Sequence, residues 1–167
     1  MSILGTRGVR KEDPELLTVG GKYVDDLAPS TALYATFVRA AVAHAEIINI
    51  DASEALALDG VVAVFTAADL ELSPQAPSMP VFNQTMTRTW LASDRMRYVG
   101  EPVAVVVSTS ASVGADAIDL IIVEDEPLPV VVSARDALLD ETLLFPGAGT
   151  NVTFAQPTTV DDSFFDG

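Results

Sequence analysis

The 167-residue sequence contains no cysteine. Disulfides, thiolate nucleophiles and cysteine-held zinc or iron–sulfur clusters are therefore excluded within the chain. It has a single histidine, His44, so a histidine-based metal site or a Ser–His–Asp triad would depend on that residue alone. Positive charge is scarce: nine Lys and Arg face 24 Asp and Glu, for a formal charge of −15. No Lys or Arg occurs from Ala40 to Thr87, and after Tyr98 only Arg135 is basic. A nucleic-acid surface needs a basic footprint, so DNA, RNA and anionic membranes are not expected partners. No apolar run approaches the ~20 residues of a membrane span, and no membrane insertion is expected. The opening MSILGTRGVRKEDPE lacks the apolar core of a secretory signal. The cytoplasm is the expected compartment.

What is present suffices for a core. Hydrophobic residues make up 49% of the chain, and mean hydropathy is +0.35. A domain of this size buries about two-thirds of its unfolded surface, so it needs no covalent staple. Residues 1–21 are polar and rich in glycine, and read as an extended N-terminal arm. Leu33–Arg39 alternates and predicts a strand, as does Glu46–Ser53. Asp51 or Ser53 can cap a short helix that Gly60 stops. Val61–Ala67 is continuously apolar, as a strand buried on both faces would be. Thr66–Leu70 fits one helical turn.

Residues 71–92 hold Pro74, Pro77 and Pro80 and predict a long loop. Its Met79, Val81, Phe82 and Trp90 predict that it covers a surface. Arg95–Gly100 and the following EPVAVVVS read as strands. Ser108, Thr109 or Ser110 then caps a helix with Val113, Ala117, Leu120 and Ile121 on one face. The segment IIVEDEPLPVVV returns to extended geometry, stiffened by Pro127 and Pro129. SARDALLD predicts a capped short helix, and 141–167 predicts an irregular linker. Phe154, Phe164 and Phe165 in that linker call for a partner surface. The fold class is α/β (α+β), a mixed sheet with short helices packed on it over 22–140.

Few residues offer chemistry. A strand, a Ser/Thr turn and a helix containing Gly114 outline a nucleotide-binding unit. A dinucleotide fingerprint needs glycines in the turn itself, where backbone N–H groups approach phosphate. The turn Ser108–Ser112 has none, so helix capping is the simpler reading. Gly147–Gly149 has no helix pattern after it. His44 sits among small apolar residues and reads as a structural or surface histidine. Glu124–Glu126 has the oxygen chemistry of a hard-cation site, but neighbours on a strand alternate faces and cannot readily converge. Asn151 begins a glycosylation sequon. Glu101 is a lone carboxylate without a sequence-identifiable partner. No residue is assigned a catalytic, cofactor-binding or metal-binding role.

The ordered segments RKEDPELLTVGGKYVDDL, LYATFVRAAVAHAEIINIDASEALALDGVVAVFTAADL and RMRYVGEPVAVVVSTSASVGADAIDLIIVEDEPLPVVVSARDALL resemble a known family. They are similar to the N-terminal part of the molybdenum-carrying large subunit of the xanthine oxidase/aldehyde oxidase family, in its carbon monoxide dehydrogenase-type branch. The resemblance runs from Arg7 to Phe154. The chain departs from the family at Ala40-Ala41-Val42, where Ser-Pro-His is frequent, and at Glu124-Asp125-Glu126, where an acidic-Tyr-acidic run is usual. The resemblance implies an α/β hammerhead domain, a scaffold beside the molybdenum domains. It implies molybdopterin, 2Fe-2S clusters and FAD in the full complex, none of them bound by this chain. It also implies as partners the remaining large-subunit domains, an iron–sulfur subunit and an FAD subunit. Family motifs for molybdopterin contacts and the catalytic glutamate lie in later domains, so none is carried over. A free-standing binding or assembly module, or a nucleotide-binding domain, are the alternative readings.

Overall fold

A computed structural model describes residues 8 and 10–156. The chain forms two compact units, residues 1–32 and 33–167. In the first, the segment expected to be extended contains helix α1 (Asp13–Thr18). Pro14 opens it with a φ already suited to a helix, and Asp13 and Glu15 place negative charge in its first turn. A 3-10 turn follows at Val24–Leu27, supported by Tyr23 N donating to Asp26 Oδ2 at 2.9 Å. No residue of α1 is buried.

The second unit holds six strands: β1 (Tyr34–Arg39), β2 (Ala45–Asp51), β3 (Val61–Thr66), β4 (Arg95–Met96), β5 (Pro102–Ser108) and β6 (Ile122–Pro127). Helices α2 (Ser53–Ala57), α3 (Ala111–Ile118) and α4 (Ala134–Ala137) lie between and after them. The α/β class holds, but the strands form two antiparallel sheets in place of one mixed sheet. Their orders are β1-β5-β3 and β4-β2-β6. The chain changes sheet at every connection from β1 to β6, first at Ala40–His44 and last through α3. The strand expected over Arg95–Gly100 keeps only two residues, because Gly100 turns the backbone at φ 90°. The Thr66–Leu70 segment forms a turn, closed by Thr66 N and Oγ1 donating to Asp69 Oδ2, both at 2.7 Å.

The first sheet takes α2 and α3 on one face. Register places Thr36, Val38, Val64, Ala104, Val106 and Ser108 on that face. Val38, Ala55, Ala104, Val106, Ala117 and Ile121 form its core. Three of those six are alanines, which lets the helices approach the sheet closely. A second cluster, Ala40, Ala45, Ala92, Met96 and Val103, joins the start of β5 to β2 and β4. Ser110 caps α3 as expected: its Oγ accepts from Val113 N at 3.3 Å. Ser133 caps α4 in the same way, accepting from Asp136 N at 3.1 Å.

At Gly114 the helix α3 approaches the first sheet closely. A Cβ there would overlap Thr36 Oγ1 and lie 2.9 Å from Ser108 Oγ. At an exposed helix position, Gly→Ala stabilises by about 1 kcal/mol. Overpacking of this kind costs about 1–3 kcal/mol, so the sign should reverse. Gly114→Ala should lower the denaturant midpoint, and adding Thr36→Ala should recover much of the loss. A Gly114→Ala variant as stable as the parent would contradict the packing.

Candidate functional site

The β4–β5 corner is built on an arginine and a buried acid. Arg97 Nε donates to Leu144 O at 3.0 Å and Nη1 to Arg95 O at 3.1 Å. Its Nη2 reaches both oxygens of Asp94 at 3.2 Å, and its guanidinium stacks 4.9 Å from the Phe145 ring centroid. Glu101 is 3% exposed, and its Oε2 accepts from Arg97 N at 2.5 Å. Burial pushes its pKa above the ordinary range, against the opposing pull of the Arg97 N–H and charge. Glu101 thus fastens a turn. Arg95 pairs with Glu46 across the β2–β4 ladder at 3.1 Å.

Asn151 organises the C-terminal stretch. Its Oδ1 accepts from Leu144 N at 3.0 Å, and its Nδ2 donates to Thr142 O at 2.7 Å and Ala137 O at 3.2 Å. Its own N–H donates to Asp140 Oδ1 at 2.6 Å. The side-chain amide is fully engaged, and this is what the sequon residue does in the fold. Phe154, which called for a partner, meets Phe82 edge-to-face at 5.9 Å. Phe164 and Phe165 lie outside the described residues.

Between the long loop and this stretch lies a cavity of about 600 Å³, lined in part by Pro77, Met86, Arg88, Trp90 and Phe145. Gln75 and Arg88 exchange backbone hydrogen bonds of 2.8 and 3.1 Å across the loop, forming an isolated bridge. The loop was expected to cover a surface with its apolar residues. Met86 does so, being buried, but Trp90 is 74% exposed. Arg88 is exposed, and among the described residues its side chain pairs with no carboxylate.

The first sheet's other face is apolar, and no described element packs over it. By register and alternation it carries Ala35, Phe37, Ala63, Phe65, Val105 and Val107. None of the six is buried, and Phe37 is 41% exposed. Arg39 lies at its edge, 5.7 Å over the Phe37 ring, and donates to Gly100 O at 2.9 Å.

The remaining sequence candidates stay apart. His44 is buried, its Nδ1 2.7 Å from Pro129 O; facing a carbonyl, that nitrogen must carry the proton. The histidine thereby ties β2 to the Pro-stiffened exit of β6. Glu124 and Glu126 are exposed, and Asp125 between them alternates to the other face of β6. Gly149 ends a 3-10 turn at Pro146–Ala148 with φ 69°. Sequence reasoning missed Arg97 and the Arg88–Trp90 pair. The only available signal was three arginines within Arg88–Arg97 in a base-poor chain.

Residues 18–129 match the family described as aldehyde oxidase and xanthine dehydrogenase, a/b hammerhead domain. The chain belongs to that hammerhead family. The nicotine 6-hydroxylase large subunit of Paenarthrobacter nicotinovorans is 41% identical over 140 residues, 82% of this chain and 17% of that protein. The carbon monoxide dehydrogenase large chain of Afipia carboxidovorans is 40% identical over 135 residues, 81% of this chain and 16% of that protein. The crystal structure of a Cu,Mo-CO dehydrogenase superposes with a TM-score of 0.71 at 39% identity, over 80% of this chain and 17% of that one. The hammerhead chain thus spans less than a fifth of the length of the relatives it matches. No described helix is long and apolar enough to cross a membrane.

The residues supply neither iron–sulfur ligands nor, among those described, a cluster of metal-binding side chains: there is no cysteine, and among the described residues no three His, Asp or Glu side chains gather as metal ligands would. The α3 turn makes no phosphate cradle: Ser108 Oγ donates to Ser110 O at 2.8 Å, Ser110 caps the helix, and Gly114 is packed against Thr36.

Two outcomes follow from the polar contacts. A carboxyl with a raised folded pKa contributes stability that is present below its unfolded value and lost as pH rises through the folded value. The parent should therefore lose stability relative to Glu101→Gln as pH rises from 4.5 towards neutrality. Gln keeps an acceptor for Arg97 N but does not ionise. Denaturant midpoints of both proteins across that range check this, and parallel curves would refute it. Asn151→Asp removes two donors and leaves Ala137 O and Thr142 O facing a carboxylate. A loss of about 1–3 kcal/mol is expected, with faster amide exchange over 137–153; unchanged exchange there would show that Asn151 does not hold the segment.

Proposed function

We propose that this chain is the N-terminal structural segment of the large subunit of a molybdenum hydroxylase, of the aldehyde, xanthine or carbon monoxide dehydrogenase type. On this reading it scaffolds the cofactor domains and partner subunits. Residues 22–140 form the scaffold, residues 141–167 lead towards the cofactor domains, and the arm 1–21 precedes them. Molybdopterin, 2Fe-2S clusters and FAD belong to the surrounding domains and subunits, which together carry out a hydroxylation in the cytoplasm. The observation that carries the reading is the hammerhead match of residues 18–129 in a chain spanning 17% of its relative's length. The open apolar sheet face supports it, since a sheet apolar on both faces requires cover on both.

The alternative is a free-standing binding or assembly module without catalytic activity. Native mass spectrometry of the natural complex, with metal analysis, separates the two. The scaffold reading expects co-migration with a molybdenum-bearing species; a lone 17.6 kDa species without molybdenum would sink it. Phe37→Asp on the open face should weaken that association by at least about tenfold, as charging an interface aromatic does. Its melting temperature should stay close to the parent's, because Phe37 is already exposed.

A further inference from the structure

Arg88 and Trp90, two residues apart, both line the 600 Å³ cavity. Trp90 is the sole tryptophan of the chain and exposes three-quarters of its surface. In a chain with 24 acids and nine bases, the other two arginines of this segment are each paired: Arg95 with Glu46, Arg97 with Asp94. Arg88 makes no ion pair among the described residues, and its charge reaches Glu101 only at longer range. Tryptophan and arginine are the side chains most enriched where binding energy concentrates. A guanidinium is also the cation best shaped for a carboxylate.

We propose that this cavity receives a carboxylate-bearing segment of a polypeptide outside these 167 residues. Its acid pairs with Arg88, and an adjoining apolar side chain lies against Trp90. This rests on the reading of the chain as one domain of a larger assembly.

The cavity is held open by its own contacts, so little ordering opposes binding. The Gln75–Arg88 backbone bridge fixes one wall. Phe145, which also lines the cavity, is stacked on Arg97, and the adjoining Leu144 O is hydrogen-bonded to that arginine. The volume falls within the range of about 300–1,000 Å³ that holds a small ligand, enough for a few side chains. Charge selects the occupant. Most of the surface repels an incoming acid, and the Arg88–Arg97 segment is the only part of the second unit with several bases. A second copy of the chain is disfavoured, because two bodies of charge −15 repel one another.

The test uses the native assembly carrying Arg88→Lys, treated with a water-soluble carbodiimide, which joins an amine to a carboxylate in contact with it. The expected result is a cross-link from position 88 to an Asp or Glu outside the chain, located by peptide mass spectrometry. In parallel, Arg88→Glu and Trp90→Ala should each raise the dissociation constant at least tenfold. Arg135→Glu, at another exposed cation, should leave it unchanged. Cross-links only to the chain's own carboxylates, or none, would overturn the proposal, as would Arg88→Glu binding like the parent. An intact assembly without the cross-link sinks the cavity alone; failure of the parent chain to enter any assembly sinks the domain reading with it.

Discussion

The second unit depends on β5. It is the central strand of the first sheet, its register fixes both β1 and β3, and it is apolar on both faces. One face is answered within the chain: Ala104 and Val106 are fully buried against Ala117 and its neighbours. On the other face only Val103 is buried, where β2 and β4 reach the end of the strand. Val105 and Val107 beyond it are not. An antiparallel sheet with one solvated face shows polar residues at alternate positions. β5 does not, so its composition suits a sheet covered twice, and the described residues supply one cover.

Electrostatics imposes a second constraint. With so few bases, three of the five arginines of the second unit have a visible structural task. Arg39 braces the Gly100 corner, Arg95 bridges β4 to β2, and Arg97 gathers Asp94, the Arg95 carbonyl, Leu144 and Phe145. That last set carries the C-terminal stretch onto the β4–β5 corner, and Asn151 then shapes it. The stretch looked like a loose linker because none of its residues has helical or strand periodicity. Its order comes from polar contacts between residues far apart in sequence, and exposed ion pairs alone contribute little. The buried Glu101 carboxylate and the stacked Phe145 ring supply what the surface charges do not.

What could be read from residues alone follows the range of the interactions. β1, β3 and β5 were legible because strand periodicity and β-branched content are local. The caps of α3 and α4 were legible because Ser110 and Ser133 act three residues away. Sheet partition was not: the pairing of β1 with β5 and of β2 with β6 depends on contacts some seventy residues apart. Helix α1 was hidden behind flanking glycines, although Pro14 and the acidic first turn were its signals. Trp90 misled in a different way. An apolar residue among prolines suggests cover for a surface, yet periodicity cannot say whether that surface belongs to the same chain. The hydrogen bonds of His44 to Pro129 O and of Glu101 to Arg97 N join residues whose pairing no local pattern announces.

The turn before α3 shows why resemblance in outline is a poor guide to chemistry. In a phosphate-binding turn, a missing Cβ opens space for a ligand. Here the missing Cβ of Gly114 is filled by Thr36 from β1 and Ser108 from β5, so the glycine brings helix and sheet together. The hydroxyls that might meet an anion are already committed, Ser108 to a carbonyl and Ser110 to the helix cap. Close approach locks α3 onto the first sheet, and α3 leads directly into β6 of the second. The arrangement fixes one sheet relative to the other without leaving a reactive group at the junction. On the proposed scaffold reading, the domain acts through the open side of β5 and the cavity that Arg88 and Trp90 line.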